Sequence, residues 1–415
     1  MATIPYMADR LSRDRLADRS GVDPGYVDRL VSLGILTAAD DGTFAGSALQ
    51  VVRLVRSFDG SGITPEHIGE AVRAGQLSLA FLDQPSYERF SGLSDATFQE
   101  VSERSGIPLD VLTMTREAIG YGMAAPEDRM RDDELEAVPV IQLAHERGFE
   151  REVLERLLRV YGESLRRAVE TESASYRSQV LAPLLASGLS ESDALQSASR
   201  FAGEVFELLD RAIMAIYHGQ QEHSWMRTIF ETVEDGLDRA GVRSKLVRPP
   251  AMCFVDLAGY TQLTEEHGDA VAAATAVTLT PLVGRIASGH GGSPVKWLGD
   301  GVMLHFADPG EAVVAALDIA DELPAAGLPP MHAGIDAGPV IFQDGDYFGR
   351  TVNIAARIAA HAKAGEVLVS DAVLGASTTP AVVFHPLGPA DLRGVARPIL
   401  LHRADRARPL SSGLG

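Results

Sequence analysis

Cysteine, lysine and long apolar runs are nearly absent from this 415-residue chain. The single cysteine, Cys253, excludes an intramolecular disulfide, and its apolar neighbours read it as a small core residue. Only three of the 37 basic residues are lysines, at 245, 296 and 363. A lysine retained in such a background suggests a compact point donor where a guanidinium fork would not fit. The longest uncharged stretch near the C-terminal motifs, Ala270 to Gly284, contains threonines and a proline, and is expected to be a buried helix and not a membrane span. Asp9, Arg10, Arg13 and Asp14 break any apolar run near the N-terminus, so no signal pattern is expected and a cytoplasmic location is.

What is present is acid, at a formal net charge of −20, and enough hydrophobic residues, 46%, to bury substantial cores in two to three domains. Residues 1–240 carry 24 arginines and no lysine against 40 acids, a net of −16. Their pattern is overwhelmingly helical, and it repeats. LADRSGV (16–22) recurs as VSERSGI (101–107), and GITPEHI (62–68) recurs as GFEREVL (148–154), giving two units of about 85 residues. Each begins like a helix-turn-helix, with a Ser-Gly turn between two short helices. The long amphipathic segments 153–169 and 201–219 are expected to be ordinary core, with packing on a partner chain as the alternative. His218 and His223, shortly before the linker, are a candidate proton sensor set against an ordinary solvated surface.

After Pro249 and Pro250 the chemistry concentrates. Asp256 interrupts an apolar strand pattern, Met252 to Leu257, and Asp300 occupies a Gly-Asp-Gly turn between two apolar runs that read as a hairpin. Two carboxylates so placed suit magnesium, which fills its remaining positions with water and phosphate oxygens. The bland alternatives are a helix cap for Asp256 and an ordinary turn residue for Asp300. Lys296, between Val295 and Trp297, is either the expected point donor or a strand-edge lysine with its head in water. In DYFGRTVNIAAR (346–357), Gly345 and Gly349 bracket an expected loop. Thr351 to Ala360 reads as a helix presenting Asn353 and Arg357 on one face, either as ligand groups or as a solvated surface.

Taken together, FVDLAGYT (254–261), VKWLGDGVML (295–304) and DYFGRTVNIAAR (346–357) resemble the catalytic domain of class III nucleotidyl cyclases, over roughly residues 250–405. By that resemblance Asp256 and Asp300 carry two magnesium or manganese ions, Lys296 and Asp346 read the adenine edge, Asn353 orients the ribose and Arg357 stabilises the transition state. Arg393, in DLRGVARP, stands where the family has a further basic contact to the triphosphate. The resemblance also implies a homodimer, with the two aspartates of each site from one chain and the other four residues from its partner. Chemistry points to ATP as well: adenine presents an amino donor beside an acceptor nitrogen, which an aspartate and a lysine complement and guanine does not.

The expected fold is α+β: an all-α N-terminal regulatory region followed by a ferredoxin-like α/β cyclase domain. Expected boundaries are 1–85 and 86–240 for the helical units, 241–250 for a linker, 251–405 for the catalytic domain and 406–415 for a tail. Strands are predicted near 252–257, 294–298, 301–306 and 331–340, with helices near 263–288 and 309–323 across one face. The whole resembles actinobacterial class III cyclases with a helical regulatory domain, which implies a small-molecule, lipid or proton regulator. The first unit also resembles the winged DNA-binding domain of MerR-type regulators. DNA binding is disfavoured, because affinity for phosphate needs a basic surplus and the second helix of the first unit offers Asp23 and Asp28 against Arg29. The competing function is a catalytically weak nucleotide sensor coupled to a DNA-binding module.

Overall fold

The computed structural model describes residues 10–58, 61–79, 82, 92–242 and 248–407. Lys245 with residues 243–247 of the expected linker, the 85/86 boundary and the tail beyond 407 lie outside the described residues. By its internal contacts the chain divides into Met1–Glu231 and Thr232–Gly415.

The first unit is built on the sequence repeat. Helices Arg13–Ser20 and Pro24–Ser32 are joined through Gly21, and helices Phe98–Ser105 and Leu109–Ala118 through Gly106. Both glycines take the left-handed conformation, at φ 68° and 74°, which a side chain would resist. Ser20 and Ser105, 85 positions apart, each donate to the carbonyl four residues back at 2.6 Å. The repeats carry separate cores, one around Leu16, Leu30 and Val52 and one around Phe98, Ile107 and Leu112. Arg129 ties them together, donating to both carboxylate oxygens of Asp18 at 2.6 and 2.9 Å. That pairing holds the Asp18 carboxyl below its ordinary range. The purely helical expectation misses a small antiparallel ladder, β1 (Leu93–Thr97) with β2 (Arg129–Arg131). Three-residue strands carry too little periodicity to be legible.

The amphipathic stripes of the long helices are not core within the single chain, which corrects the expectation. Helix Arg151–Tyr176 buries only Leu154, and Leu157, Leu165 and Val169 are exposed. Helix Glu191–Arg239 leaves Leu208, Met214 and Ile216 exposed, although the Tyr161 and Tyr217 hydroxyls meet at 3.2 Å. Helices of 26 and 49 residues carry more apolar surface than their contacts within the chain cover. His218 and His223 lie on the exposed surface of the longer one.

The second unit is one mixed sheet with helices on both faces. Its strands are β3 (Ala251–Leu257), β4 (Gly292–Leu298), β5 (Gly301–Phe306), β6 (Met331–Ala337), a separate hairpin of β7 (Ile341–Gln343) and β8 (Asp346–Phe348), then β9 (Val367–Ser370), β10 (Val382–Ala390) and β11 (Ile399–Arg406). The order β10-β11-β9-β6-β3-β5-β4 contains the ferredoxin-like arrangement, with β6, β3, β5 and β4 all antiparallel. The predicted β6 ends three residues early, because Gly338 and Pro339 leave the ladder.

Strand alternation divides the buried residues between two faces. Cys253, Val255 and Leu257 pack with helices Asp269–Gly289 and Pro309–Glu322, whereas Met252 and Phe254 pack with Ala355 and Val352 of helix Arg350–His361. Helix Asp269–Gly289 is buried on one side only, through Leu279, Val283 and Ile286, while Val277 is 75% exposed. No described helix is long and apolar enough to cross a membrane. Helix Arg350–His361 lies directly on β6, since a Cβ added to Gly334 would come within 2.0 Å of the Ala359 nitrogen.

At the edge of this unit His290 sits between two acids, Nδ1 2.7 Å from Glu311 and Nε2 2.7 Å from Asp318. A neutral imidazole has one N–H, so two such bonds require the charged ring. Burial pulls its pKa down, but the bonds to Glu311 and Asp318 outweigh that and raise it above the ordinary value. The linked stability is therefore full below about pH 6.5 and lost as pH rises through the raised value. Replacing His290 with Gln should flatten the fall in the second unit's unfolding temperature as pH rises above about 6.5, as compared with wild type by thermal denaturation.

Candidate active site

Asp256 closes β3 on the face shared with Met252 and Phe254, opposite Gly301 of β5 and His332 of β6. Asp300 sits in the β4–β5 turn, which Gly299 makes with φ 73°. The two carboxylates are neighbours: burial first, and the adjacent Asp256 charge second, push the Asp300 carboxyl above its usual range. Gly301 makes the approach possible: a Cβ there would stand 2.8 Å from an Asp256 oxygen. His332 Nε2 lies 3.6 Å from Asp256. Asp256 caps no helix, because the next one begins at Tyr260 behind Gly259 without a side-chain bond.

Two like charges side by side, one of them raised in pKa, suit a cation between them. Two carboxylate donors at strand ends with open solvent beyond fit magnesium or manganese, so Asp256 and Asp300 are the residues that would hold the metal. This pair sets a measurable trade-off. In EDTA, Asp300→Asn should raise the unfolding temperature of the catalytic unit by about 2 °C or more, because one of two like charges is gone. Manganese should stabilise the wild type and leave the variant unchanged; a variant that is less stable in EDTA would contradict this.

The remaining predicted residues form a second group. Lys296 projects from edge strand β4 and is ion-paired with Asp346 of β8 at 2.5 Å, so it is not simply a strand-edge lysine with its head in water. The Tyr347 N–H donates to the other Asp346 oxygen at 2.8 Å. The expected loop before Asn353 is thus a hairpin, turned at Asp344 and Gly345 with φ 54° and 77°, the mirror-type geometry that hairpin turns favour. Asn353 and Arg357 are exposed on one face of helix Arg350–His361. Arg393 is exposed in the β10–β11 connection, whose Leu392 packs on Ile354 and Ile358 of that same helix. Among the described residues, no hydrogen bond or ion pair joins the acid pair to any of the other five. His332, Gly301 and the ring of Tyr347 are the site neighbours that sequence reasoning did not name; a lone histidine or tyrosine in a strand carries no signal of its own.

Parts of the sequence are similar to known proteins. The adenylate cyclase regulatory domain family matches residues 40–224, and the adenylate and guanylate cyclase catalytic domain family matches residues 329–402. The pH-sensitive adenylate cyclase of Mycobacterium tuberculosis is 28% identical over 379 residues, covering 88% of this chain and 90% of the relative. An adenylate cyclase regulatory region thus precedes an adenylate and guanylate cyclase catalytic domain in this chain. An adenylate cyclase of Glutamicibacter nicotianae is 25% identical over 342 residues, covering 78% of this cyclase and 80% of the relative. The crystal structure of the adenylyl cyclase CyaB from P. aeruginosa aligns at 23% identity and a TM-score of 0.35, over 39% of this chain and 95% of that one.

Proposed function

We propose that this cyclase is an adenylyl cyclase that converts ATP to 3′,5′-cyclic AMP and pyrophosphate at sites shared by two copies of the chain. The observation that carries the reading is the Lys296–Asp346 pair. Its ammonium donates where adenine accepts, and its carboxylate accepts where adenine donates an amino hydrogen.

Asn353, one helical turn before Arg357, orients the ribose so that its 3′-oxygen faces the α-phosphorus. The 3′-oxygen forms the new P–O bond as the bond to pyrophosphate breaks, and the Arg357 guanidinium donates to the charge that grows on the α-phosphate. Arg393 extends donors toward the departing phosphates. Two magnesium or manganese ions held by Asp256 and Asp300 would supply positive charge to the phosphate oxygens and acidity to the attacking hydroxyl. Nucleophile and electrophile belong to one molecule, so the residues contribute position and charge rather than covalent chemistry.

Two features support the shared site. The acid pair has no bond to the other group within the chain, and the apolar stripes of the long helices are exposed in a single copy. A site assembled from two chains is broken by small shifts between them, which gives the helical region a means of control by a small molecule, a lipid or protons. The pH sensitivity named for the M. tuberculosis relative is consistent with a proton as that signal. Nothing favours the DNA-binding alternative: Arg29 of the second helix is held by Glu66 through two bonds of 2.7 Å.

The test is cyclic nucleotide formation from ATP and from GTP with manganese or magnesium, in the full-length protein and in Asp300→Ala. Cyclic AMP from ATP, lost by on the order of a hundredfold or more in the variant, is expected. Cyclic GMP as the main product, or equal activity in the variant, would overturn the assignment.

A further inference from the structure

The base-reading aspartate stands on an element that cannot hold itself in place. Hairpin β7–β8 is three pairs long and largely exposed, with Ile341, Phe342 and Phe348 49–64% exposed, and an isolated two-stranded hairpin is marginal in water. What fixes it to the sheet is an aromatic stack. The Tyr347 ring lies on the His305 ring of β5 at 4.4 Å between centroids and 6° between planes. Phe342 leans on the same tyrosine at 5.0 Å. His305 occupies the β5 face that also carries Met303, and pairs with Ser293 of β4 and Met252 of β3, so the platform beneath Tyr347 is a strand hydrogen-bonded on both sides.

The adjoining bonds convert this anchor into a selectivity element. Tyr347 is the residue whose N–H fixes one Asp346 oxygen, leaving the other for Lys296. The Tyr347 side chain also packs in the cluster that contains Val352 and Ala355, on the helix that presents Asn353. Loss of the ring's seat on His305 would free the hairpin backbone, and with it the Tyr347 N–H that orients the Asp346 carboxylate toward Lys296.

We propose that His305 and Tyr347 are positioning residues for purine selection, holding Asp346 and Lys296 in the geometry that admits adenine and disfavours guanine. The inference rests on the adenylyl cyclase reading and adds residues that touch neither base nor phosphate. An aromatic pair of this kind is worth roughly a three- to tenfold effect in an equilibrium.

The full-length protein is assayed with ATP and with GTP in manganese, as wild type, Tyr347→Ala, His305→Ala, Tyr347→Phe and His305→Phe. Both alanine variants should raise KM for ATP by about three- to tenfold with a smaller change in kcat, and should lower the ATP-over-GTP ratio of kcat/KM by a similar factor. Both phenylalanine variants keep a ring in the stack and should restore the ratio. Loss of kcat on both nucleotides with an unchanged ratio would overturn the proposal, because that is what a merely structural stack gives. Loss of selectivity in the phenylalanine variants would overturn it too, and they read the stack even where an alanine variant does not fold. A wild type that makes neither cyclic nucleotide would instead remove the adenylyl cyclase reading, and this inference with it.

Discussion

The catalytic unit depends on holding two carboxylates against each other at the end of a buried sheet. Asp256 and Asp300 repel, and the fold keeps them together by closing β3 beside the tight β4–β5 turn and by leaving Gly301 without a side chain between them. Strand alternation does the rest: the residues that put Cys253 and Val255 into the core under two helices send Asp256 to the opposite face. A one-residue slip of β3 would drive the acid into the core under two helices and turn Cys253 toward helix Arg350–His361, so hydrophobic burial itself enforces the site's register.

The second group of site residues is held by different means. Lys296 is on an edge strand, Asp346 on a short hairpin and Asn353 with Arg357 on a helix seated tightly over Gly334. Their mutual order comes from the small cluster of Met252, Met303, Ala355 and Tyr347 beneath them. Lys296 shares the sheet with Asp256, yet among the described residues no bond joins the two groups, which is the arrangement expected of two half-sites that face outward toward another copy.

Much of this was legible from residues alone, and for identifiable reasons. The strands β3, β4 and β5, and the helix bearing Asn353, follow from strong periodicity bounded by glycines, and the aspartates stand out because acids are costly in apolar runs. The 85-residue repeat was also readable, down to paired serines that bond to their own helices. Less legible were features set by tertiary context. Three-residue strands such as β2 and β7 are too short for a pattern, and the stack of Tyr347 on His305 joins residues 42 positions apart that each look ordinary. The stripes on the long helices were read correctly as apolar faces, but periodicity reports that a face is buried and not against what. Here it is left exposed by the single chain.

A composite site is the claim on which mechanism and regulation both rest, and mixing two inactive variants tests it directly. Asp300→Ala disables the metal half and Arg357→Ala the transition-state half, each in every site of its own homodimer. Co-refolded in equal amounts, they form hybrid dimers with one intact site, so about a quarter of wild-type activity should return. Activity no greater than that of either variant alone, with hybrid dimers demonstrated, would mean that each chain completes its own site and would contradict the account.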